Sequence, residues 1–575
     1  MAWTNEDIAR QFAEITTLLK LSGADQFRVR AYERAAGAIG AAPVDLSTLD
    51  EAEIAALKGI GASTAKKIRE YMTSGGIGML EDLRAKVPPG LVQLIRVPGL
   101  GPKTAKLLHD KLGVDSVESL RAAIEAERLR DLPGLGAKTE AKLRESIARI
   151  GAKDSDRVPM ADAIAIADEL CRRLAELPQV AEVTYAGSLR RMRETIGDID
   201  ILAAATEPGP IHAALRDSDL VTEVIAAGEK KTSVITKRGI QADLRVVEPE
   251  AYGAALVYFT GSKDHNVRIR ERAVRRGLML NEYGLFDRDT DERLASRTEA
   301  DVYAALDLPL IVPPMREDTG EVDAAADGTL PQVVTLADIR GDLHGHSDWS
   351  GDGKATLDDM VATAAARGYE YWAVTDHAEN LTMNGLSRER MIERRAAIAA
   401  LQERYDMRIL EGAELNIGAD GDVDYDPEFL AALDWNVASI HTLMTRSEAE
   451  QTKRIITAME NPHVHAIGHL TGRQIGKRPA YDVDLDAILE AAVRTGTAIE
   501  VNASPRRLDI SGDMVRRAIE AGAALTISCD AHSVGDLASM RYGVATAQRG
   551  WATPEHVVNC RPLQGLLDFV AAKRS

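Results

Sequence analysis

The sequence predicts a multidomain chain with an α-helical N-terminal region, an α+β core and a C-terminal barrel of alternating strands and helices. Three observations predict it. A Gly-apolar-Gly motif leading into a helix recurs three times in the first 153 residues. A strand, a short turn and a second strand with paired aspartates follow near residue 185. From about residue 338, short apolar strands alternate with helical stretches, the pattern of a parallel sheet or barrel.

A length of 575 residues corresponds to three or four domains at about 150 residues each. Charged residues at 28% and hydrophobic ones at 45% are ordinary for a globular protein. Aromatics reach only 4%, so the cores rest on Ala, Val, Ile and Leu. No apolar run approaches the ~18–20 residues of a membrane span, and MAWTNEDIAR lacks the segments of a secretory signal. Cys171, Cys529 and Cys560 are widely spaced, so a reducing cytoplasm is the expected location and no membrane partner is expected. A net charge of −19 argues, taken whole, against binding a polyanion. The charge is uneven, however: +3 over residues 1–153, −8 over 154–318 and −14 over 319–575. Nine of the twelve histidines lie after residue 318.

The helical region, residues 1–153, repeats Gly59-Ile60-Gly61 before ASTAKKI, Gly99-Leu100-Gly101 before PKTAKLL, and Gly134-Leu135-Gly136 before AKTEAKL. Spacings of 40 and 35 residues mark a repeated supersecondary unit. Glycine permits the tight turn, and the helix it opens offers free amides to a phosphate oxygen. The three segments resemble helix-hairpin-helix motifs, which grip DNA backbones without reading sequence. The resemblance implies DNA contact at Gly59, Gly61, Gly99, Gly101, Gly134 and Gly136, through amides more than side-chain charge.

The middle region, residues 154–317, opens with the helix ADAIAIADELCRRLAEL and the strand VAEVTYAG. In YAGSLRRMRETIGDIDIL, strand alternation puts Asp198 and Asp200 on one face and Ile199 and Ile201 on the other. Asp243 lies in the apolar strand QADLRVV. Three carboxylates around one point can hold two Mg²⁺ ions ~3.5–4 Å apart for phosphoryl transfer. With Tyr258-Phe259-Thr260-Gly261-Ser262 and Asn281-Glu282-Tyr283 further on, the region resembles the family X DNA polymerases.

That resemblance spans roughly residues 1–318 and implies an α+β nucleotidyltransferase core. It implies that Asp198, Asp200 and Asp243 are catalytic and bind Mg²⁺ or Mn²⁺. Ser188 and Arg191, with Gly187 and Gly261, would hold the phosphates of a dNTP. Tyr258 and Phe259 would sit against its sugar, and Asn266 would reach its minor-groove edge. Lys263 departs from the Asp of eukaryotic members, so nucleotide affinity and fidelity do not carry over. Lys67 falls where some members carry a Schiff-base lyase lysine; the alternative is a solvated helix lysine.

Residues 318–337, most clearly DTGEVDAAADGTLPQ, lack apolar periodicity and read as a linker. Beyond it, in residues 338–575, strands such as YWAVTDH, WNVASIH and ALTISCDAH end on His, Asp or Glu. In a barrel those ends share one face, where active sites sit. The candidate metal ligands are His344, His346, Asp352, His377, Glu414, His441, His469, Asp530 and His532. Imidazole with carboxylate suits Zn²⁺, Mn²⁺ or Fe²⁺ and phosphoester hydrolysis. The set resembles the PHP domain (polymerase and histidinol phosphatase), a distorted (βα)7 barrel with up to three ions. Asp348 is the alternative to Asp352, because HGHSDWSGDG is one residue longer than the family spacing. His463, His465 and His556 have no motif partner and are expected at the surface.

The order of hairpin repeats, family X core and PHP domain is that of the bacterial PolX-type enzymes. It implies a DNA-directed DNA polymerase that fills short gaps in base excision repair. The PHP domain would add a 3′→5′ exonuclease or related 3′-end phosphoesterase, with apurinic-site endonuclease activity a further option. Gapped or primer-template DNA and dNTPs are the expected partners, with a monomer at the nucleoid. The rivals are a PHP-type hydrolase whose polymerase core only positions DNA, and a non-catalytic DNA-binding scaffold.

Overall fold

In a computed structural model the chain forms two compact units, Met1–Asp156 and Arg157–Ser575. The structure describes residues 5–574 except 23, 41–45, 47–48, 58, 89–90, 92–93, 95–99, 127, 131, 133–134, 137–139, 141–142, 144–156 and 382.

The first unit is helical throughout its described residues. Ile8, Phe12, Ile15 and Leu19 line one face of the helix Asn5–Ser22 and are buried in the unit's core. Gly61 caps the helix Ala62–Ser74, and Gly101, followed by Pro102, caps Pro102–Leu112. Both helices stop at a left-handed glycine, Gly75 and Gly113. Ile60, Leu100 and Leu135, the apolar residues between paired glycines, are all buried, which anchors each turn to the core.

The second unit begins with β1 (Val158–Pro159), the helix Met160–Ala175, β2 (Glu182–Tyr185) and β3 (Thr195–Ile196). Then come β4 (Asp198–Ala204), β5 (Val221–Ala227), β6 (Lys231–Thr236) and β7 (Gln241–Val247). The main sheet runs β2-β4-β7-β6-β5, with β4 and β7 parallel and its other pairs antiparallel. The helix buries Ala163, Ile164, Ala167 and Leu170 with Ile199 and Ile201 of β4, leaving the aspartates on the opposite face. A small antiparallel sheet follows, β8 (Leu278–Asn281), β9 (Gly284–Asp287) and β10 (Arg293–Ala295). It packs with the helices Tyr252–Thr260, Lys263–Arg275 and Glu299–Ala305.

The segment expected as a linker is folded instead. Glu321–Ala326 is a helix whose Val322 and Ala325 join the core of the small sheet, as does Val333. Glu321 is fully buried and accepts from Asp318 N at 3.0 Å and Thr319 N at 2.7 Å, with His265 Nδ1 at 2.7 Å. Its polar composition concealed a buried carboxylate with three partners.

The C-terminal part has the seven strands anticipated from the sequence, all parallel: β11 (Gly341–Asp342), β12 (Tyr371–Val374), β13 (Arg408–Asn416), β14 (Trp435–Ser439), β15 (Ala466–Ile467), β16 (Ala498–Asn502) and β17 (Leu525–Ser528). Each pairs with the next in sequence, and a bridge from Gly345 to Ala531 brings the first and last together. The result is a nearly closed barrel. Both faces of its strands are buried, as parallel sheets require: Trp372 and Val374 pack with one cluster, Tyr371 and Ala373 with another.

Candidate metal centres

The parallel register of β4 and β7 sets Asp200 directly opposite Asp243, with Asp198 two residues away on the same face. Asp198 is exposed, Asp200 half-buried and Asp243 buried. Burial, then the charges of Asp198 and Asp243, push Asp200 up to about 7. Burial would raise Asp243 as well, but hydrogen bonds from Lys231, Ser233 and Gln241 outweigh it and lower that carboxyl. Lys231 Nζ lies 2.6 Å from Asp243 and Gln241 Nε2 3.0 Å. Neither was singled out in the sequence; their spacing from Asp243 on β6 and β7 was the only signal. The facing carboxylates of Asp200 and Asp243, with Asp198 two residues along the same strand, are the oxygen donors a divalent cation takes.

Gly187 and Ser188 open the short helix Gly187–Arg190 beside this cluster. Gly187 has φ +60 and packs on the Asp200 carboxylate. Arg190 Nη1 and Nη2 reach Glu299 at 2.8 and 2.7 Å, and Arg190 Nη1 reaches Thr260 Oγ1 at 2.8 Å. Arg191 donates to Glu317 at 3.0 Å and to the Thr260 carbonyl, crossing Gly261, where a Cβ would come 3.1 Å from its Nη1. The Gly187–Arg191 turn and Gly261 are therefore neighbours. Tyr258 is exposed and meets Phe259 edge-on at 5.1 Å, and the Arg245 guanidinium lies 4.5 Å over the Phe259 ring. Asn266 is buried and donates to the Tyr258 carbonyl at 2.7 Å. Lys263 is exposed in the first turn of its helix.

In the barrel, eight of the nine anticipated ligands surround the ninth, Glu414, or reach it through one neighbour. Glu414 Oε2 is 2.8 Å from His377 Nδ1 and 3.5 Å from both His344 Nε2 and His346 Nε2. Its Oε1 is 3.1 Å from His441 and 3.0 Å from His469. Asp530 stands 3.3 Å from His346, and Asp352 lies 3.1 Å from His377 and 3.4 Å from His532. Asp348 instead accepts the Leu357 amide at 3.2 Å, outside the cluster. Three overlapping triads could each hold an ion: His346/His377/His532, His344/His346/Asp530 and His377/Glu414/His441.

Electrostatics separates the imidazoles. Burial, then His532 and His377, push His346 down to about 3, leaving a neutral ring. Burial would lower His377 too, but Glu414 and Asp352 hold it up at about 10. Both ring nitrogens of His346, with His344 Nε2, Asp530 Oδ1 and Glu414 Oε2, are buried without a hydrogen-bond partner. So many orphaned donors and acceptors at one point fit a metal centre.

Outer residues orient these ligands, as metal-binding imidazoles commonly require. His344 Nδ1 lies 2.6 Å from Glu500, which also accepts the His469 amide at 2.7 Å. His441 Nδ1 lies 2.8 Å from Asn416, and Asn502 bridges Glu500 and Asp530. Glu500 was legible as a carboxylate near a strand end but was not singled out. His465 is not at the surface: it is fully buried, accepts the Asn436 amide at 2.9 Å and stacks on Trp435. His463 and His556 are half-buried.

In the helical unit, Gly59 has φ +93, and a Cβ at Gly61, Gly101 or Gly136 would meet nothing within 4 Å. No packing contact among the described residues demands glycine at those three positions. Gly99 and Gly134 lie outside the described residues. Lys67 Nζ reaches Ser63 Oγ at 3.0 Å and lies 5.9 Å over the Tyr32 ring. No described helix is long and apolar enough to cross a membrane.

Family models match four segments: a helix-hairpin-helix domain over 3–77, a SAM-like helix-hairpin-helix tandem over 91–149, a DNA polymerase beta thumb over 255–317 and a PHP domain over 342–504. The DNA polymerase/3′-5′ exonuclease PolX of Bacillus subtilis is 38% identical over 569 residues, 98% of this chain and 99% of that protein. A Syntrophotalea carbinolica protein named "Probable phosphatase" is 29% identical, covering 40% of this chain and 95% of its own length. Among solved structures, Leishmania infantum polymerase beta in a ternary P/T complex covers 40% of this chain and 98% of its own, at 24% identity and TM-score 0.32.

Proposed function

The chain belongs to the PolX family of DNA polymerases, and from that premise we propose a gap-filling DNA polymerase of base excision repair with a 3′→5′ exonuclease in its barrel. One observation carries the polymerase reading: Asp200 faces Asp243 across β4 and β7, against the Gly187–Ser188 turn. Divalent ions, Mg²⁺ or Mn²⁺, would supply Lewis acidity to the attacking and leaving oxygens there. Asp198, Asp200 and Asp243 would hold them, while Ser188, Arg191 and the Gly261 turn would take the triphosphate. Tyr258 and Phe259 would lie against the sugar, and Asn266, which donates to the Tyr258 carbonyl, would reach the minor-groove edge of the base. The primer 3′-OH then attacks the α-phosphate in line and pyrophosphate leaves.

The barrel ligands would hold up to three ions of Zn²⁺, Mn²⁺ or Fe²⁺ and hydrolyse a terminal phosphodiester. Residues 1–153 would place the duplex, 154–317 would polymerise and 338–575 would trim, acting as a monomer at the nucleoid. The orphaned atoms around Glu414 support a working second centre, rather than a barrel that serves only to fold.

Primer extension on a one-nucleotide gap tests both sites together. Asp198→Ala with Asp200→Ala should abolish extension and spare 3′-end trimming; His344→Ala with His377→Ala should do the reverse. Loss of both activities in either folded double variant would refute the two-site reading.

A further inference from the structure

A cleft of about 620 Å³ lies on the seam between the middle module and the barrel. Arg157 and Arg193 line it from the middle module, and Arg473 and Arg549 from the barrel. Against these four cations stand two carboxylates, Glu194 and Asp513. Glu194 is already taken by Arg473, at 2.8 and 3.3 Å.

The remaining positive charge is poorly compensated. Among the described residues Arg157 donates to the hydroxyl and carbonyl of Thr195. Arg549 donates to the Arg191 carbonyl and, at 3.0 Å, to the Met192 carbonyl. Neither guanidinium has a carboxylate partner among the described residues, and Arg549 Nε is buried without any partner. Arg193 lies 3.6 Å from the Glu317 carboxylate. Burial, with Arg193 close by, pushes Arg549 down to about 10, against the opposing pull of Glu317 and Glu194. The N-terminus of the helix Gly512–Ala521 forms part of the same wall and adds to the positive potential.

Residues of the cleft adjoin residues of both clusters: Arg549 donates to the carbonyl of Arg191, at the end of the turn whose Gly187 packs on Asp200. Arg193, Glu194 and Thr195 lie between the phosphate turn at 187–191 and Asp198. Arg473 follows His469 closely in the barrel, and its Nε donates to the Arg507 carbonyl at 2.9 Å. The Arg507 guanidinium in turn stands 3.5 Å from Asp530.

We propose that this cleft holds backbone phosphates of a single DNA strand lying across the two centres, so that a 3′ end passes between them without leaving the protein. The proposal rests on the reading that both centres act on DNA. A cleft of this size falls within the range of ligand sites. Pyrophosphate, the other phosphate anion released nearby, would fill only a small part of it. Arginine suits the role because its planar donors grip phosphate oxygens in any base sequence.

The test uses full-length protein, with EDTA silencing both centres, and a fluorescein-labelled oligothymidylate as probe. Anisotropy across a salt series compares wild type with Arg157→Gln plus Arg193→Gln. Each lost phosphate contact should lower the salt slope by about 0.7, so two lost contacts lower it by about 1.4 and weaken binding several-fold. Charge reversal of both residues to Glu should weaken it further. A second arm restores metal and supplies a primer with a mismatched 3′ end plus a heparin trap. Wild type should trim and extend in one encounter. The double variant should need separate encounters, while extension of a matched primer and trimming of single strands stay unchanged. An unchanged slope, or unchanged single-encounter coupling, overturns the proposal. Loss of inorganic pyrophosphate binding alone also overturns it and assigns the cleft to that product. If wild type neither extends nor trims, the functional reading fails, and the salt slope still decides the cleft.

Discussion

Gly187 and Asp200 stand so close that no side chain fits between them: a Cβ on Gly187 would come 2.3 Å from Asp200 Oδ2. The backbone there is left-handed as well, at φ +60. Gly187→Ala must therefore displace either the turn or the carboxylate, on top of about 1–2 kcal/mol of backbone strain. Misplacing a reacting group by an ångström costs about a hundredfold, so primer extension should fall at least that far. Circular dichroism and 3′-end trimming should be unchanged. Extension at the wild-type rate would mean that the cluster does not need the position of Asp200.

Glu299 makes acid stability measurable in the middle module. Its side chain is 10% exposed and pairs with Arg190 and with Arg316, at 2.7 Å each. Burial alone would raise its pKa, but these two guanidiniums hold it at about 2, against 4.5 for a free group. A depressed carboxyl pKa contributes stability above the unfolded value and loses it as pH falls through the folded one. The contribution is about 3 kcal/mol at neutral pH and should vanish between pH 4.5 and 2. Urea denaturation at a series of pH values should show that loss in wild type and a flatter profile in Glu299→Gln. Parallel profiles for the two proteins would remove Glu299 from the account.

The barrel should be visibly metal-stabilised. Its unpartnered buried atoms exist in the folded chain and not in the unfolded one, so binding there is linked to folding. An ion at a hundred times its dissociation constant contributes about 2.7 kcal/mol. Calorimetry should show a higher melting temperature with Mn²⁺ or Zn²⁺ than with EDTA. Glu414→Ala should shrink the difference and lower the bound metal found by mass spectrometry. Full metal content in that variant would contradict the central place of Glu414.

The sequence by itself determined whatever depends on short-range periodicity. Two-residue alternation set Asp198 and Asp200 on one strand face, and HxH set His344 and His346 likewise, because a strand's geometry is local. The repeated Gly-apolar-Gly turns and the barrel strands that end on His, Asp or Glu were legible for the same reason. Tertiary structure alone decided the partners that lie far apart along the chain. It set Asp352 against His377 and Asp348 against the Leu357 amide. Glu500 was joined to His344 across 156 residues. The supposed linker became a packed helix, because Glu321 finds His265 only when the two elements meet. His465 went to the core, where Trp435 gives its ring an apolar face. A side chain's type predicts the chemistry it can do; which charge or ring it meets follows from long-range packing, which no local period encodes.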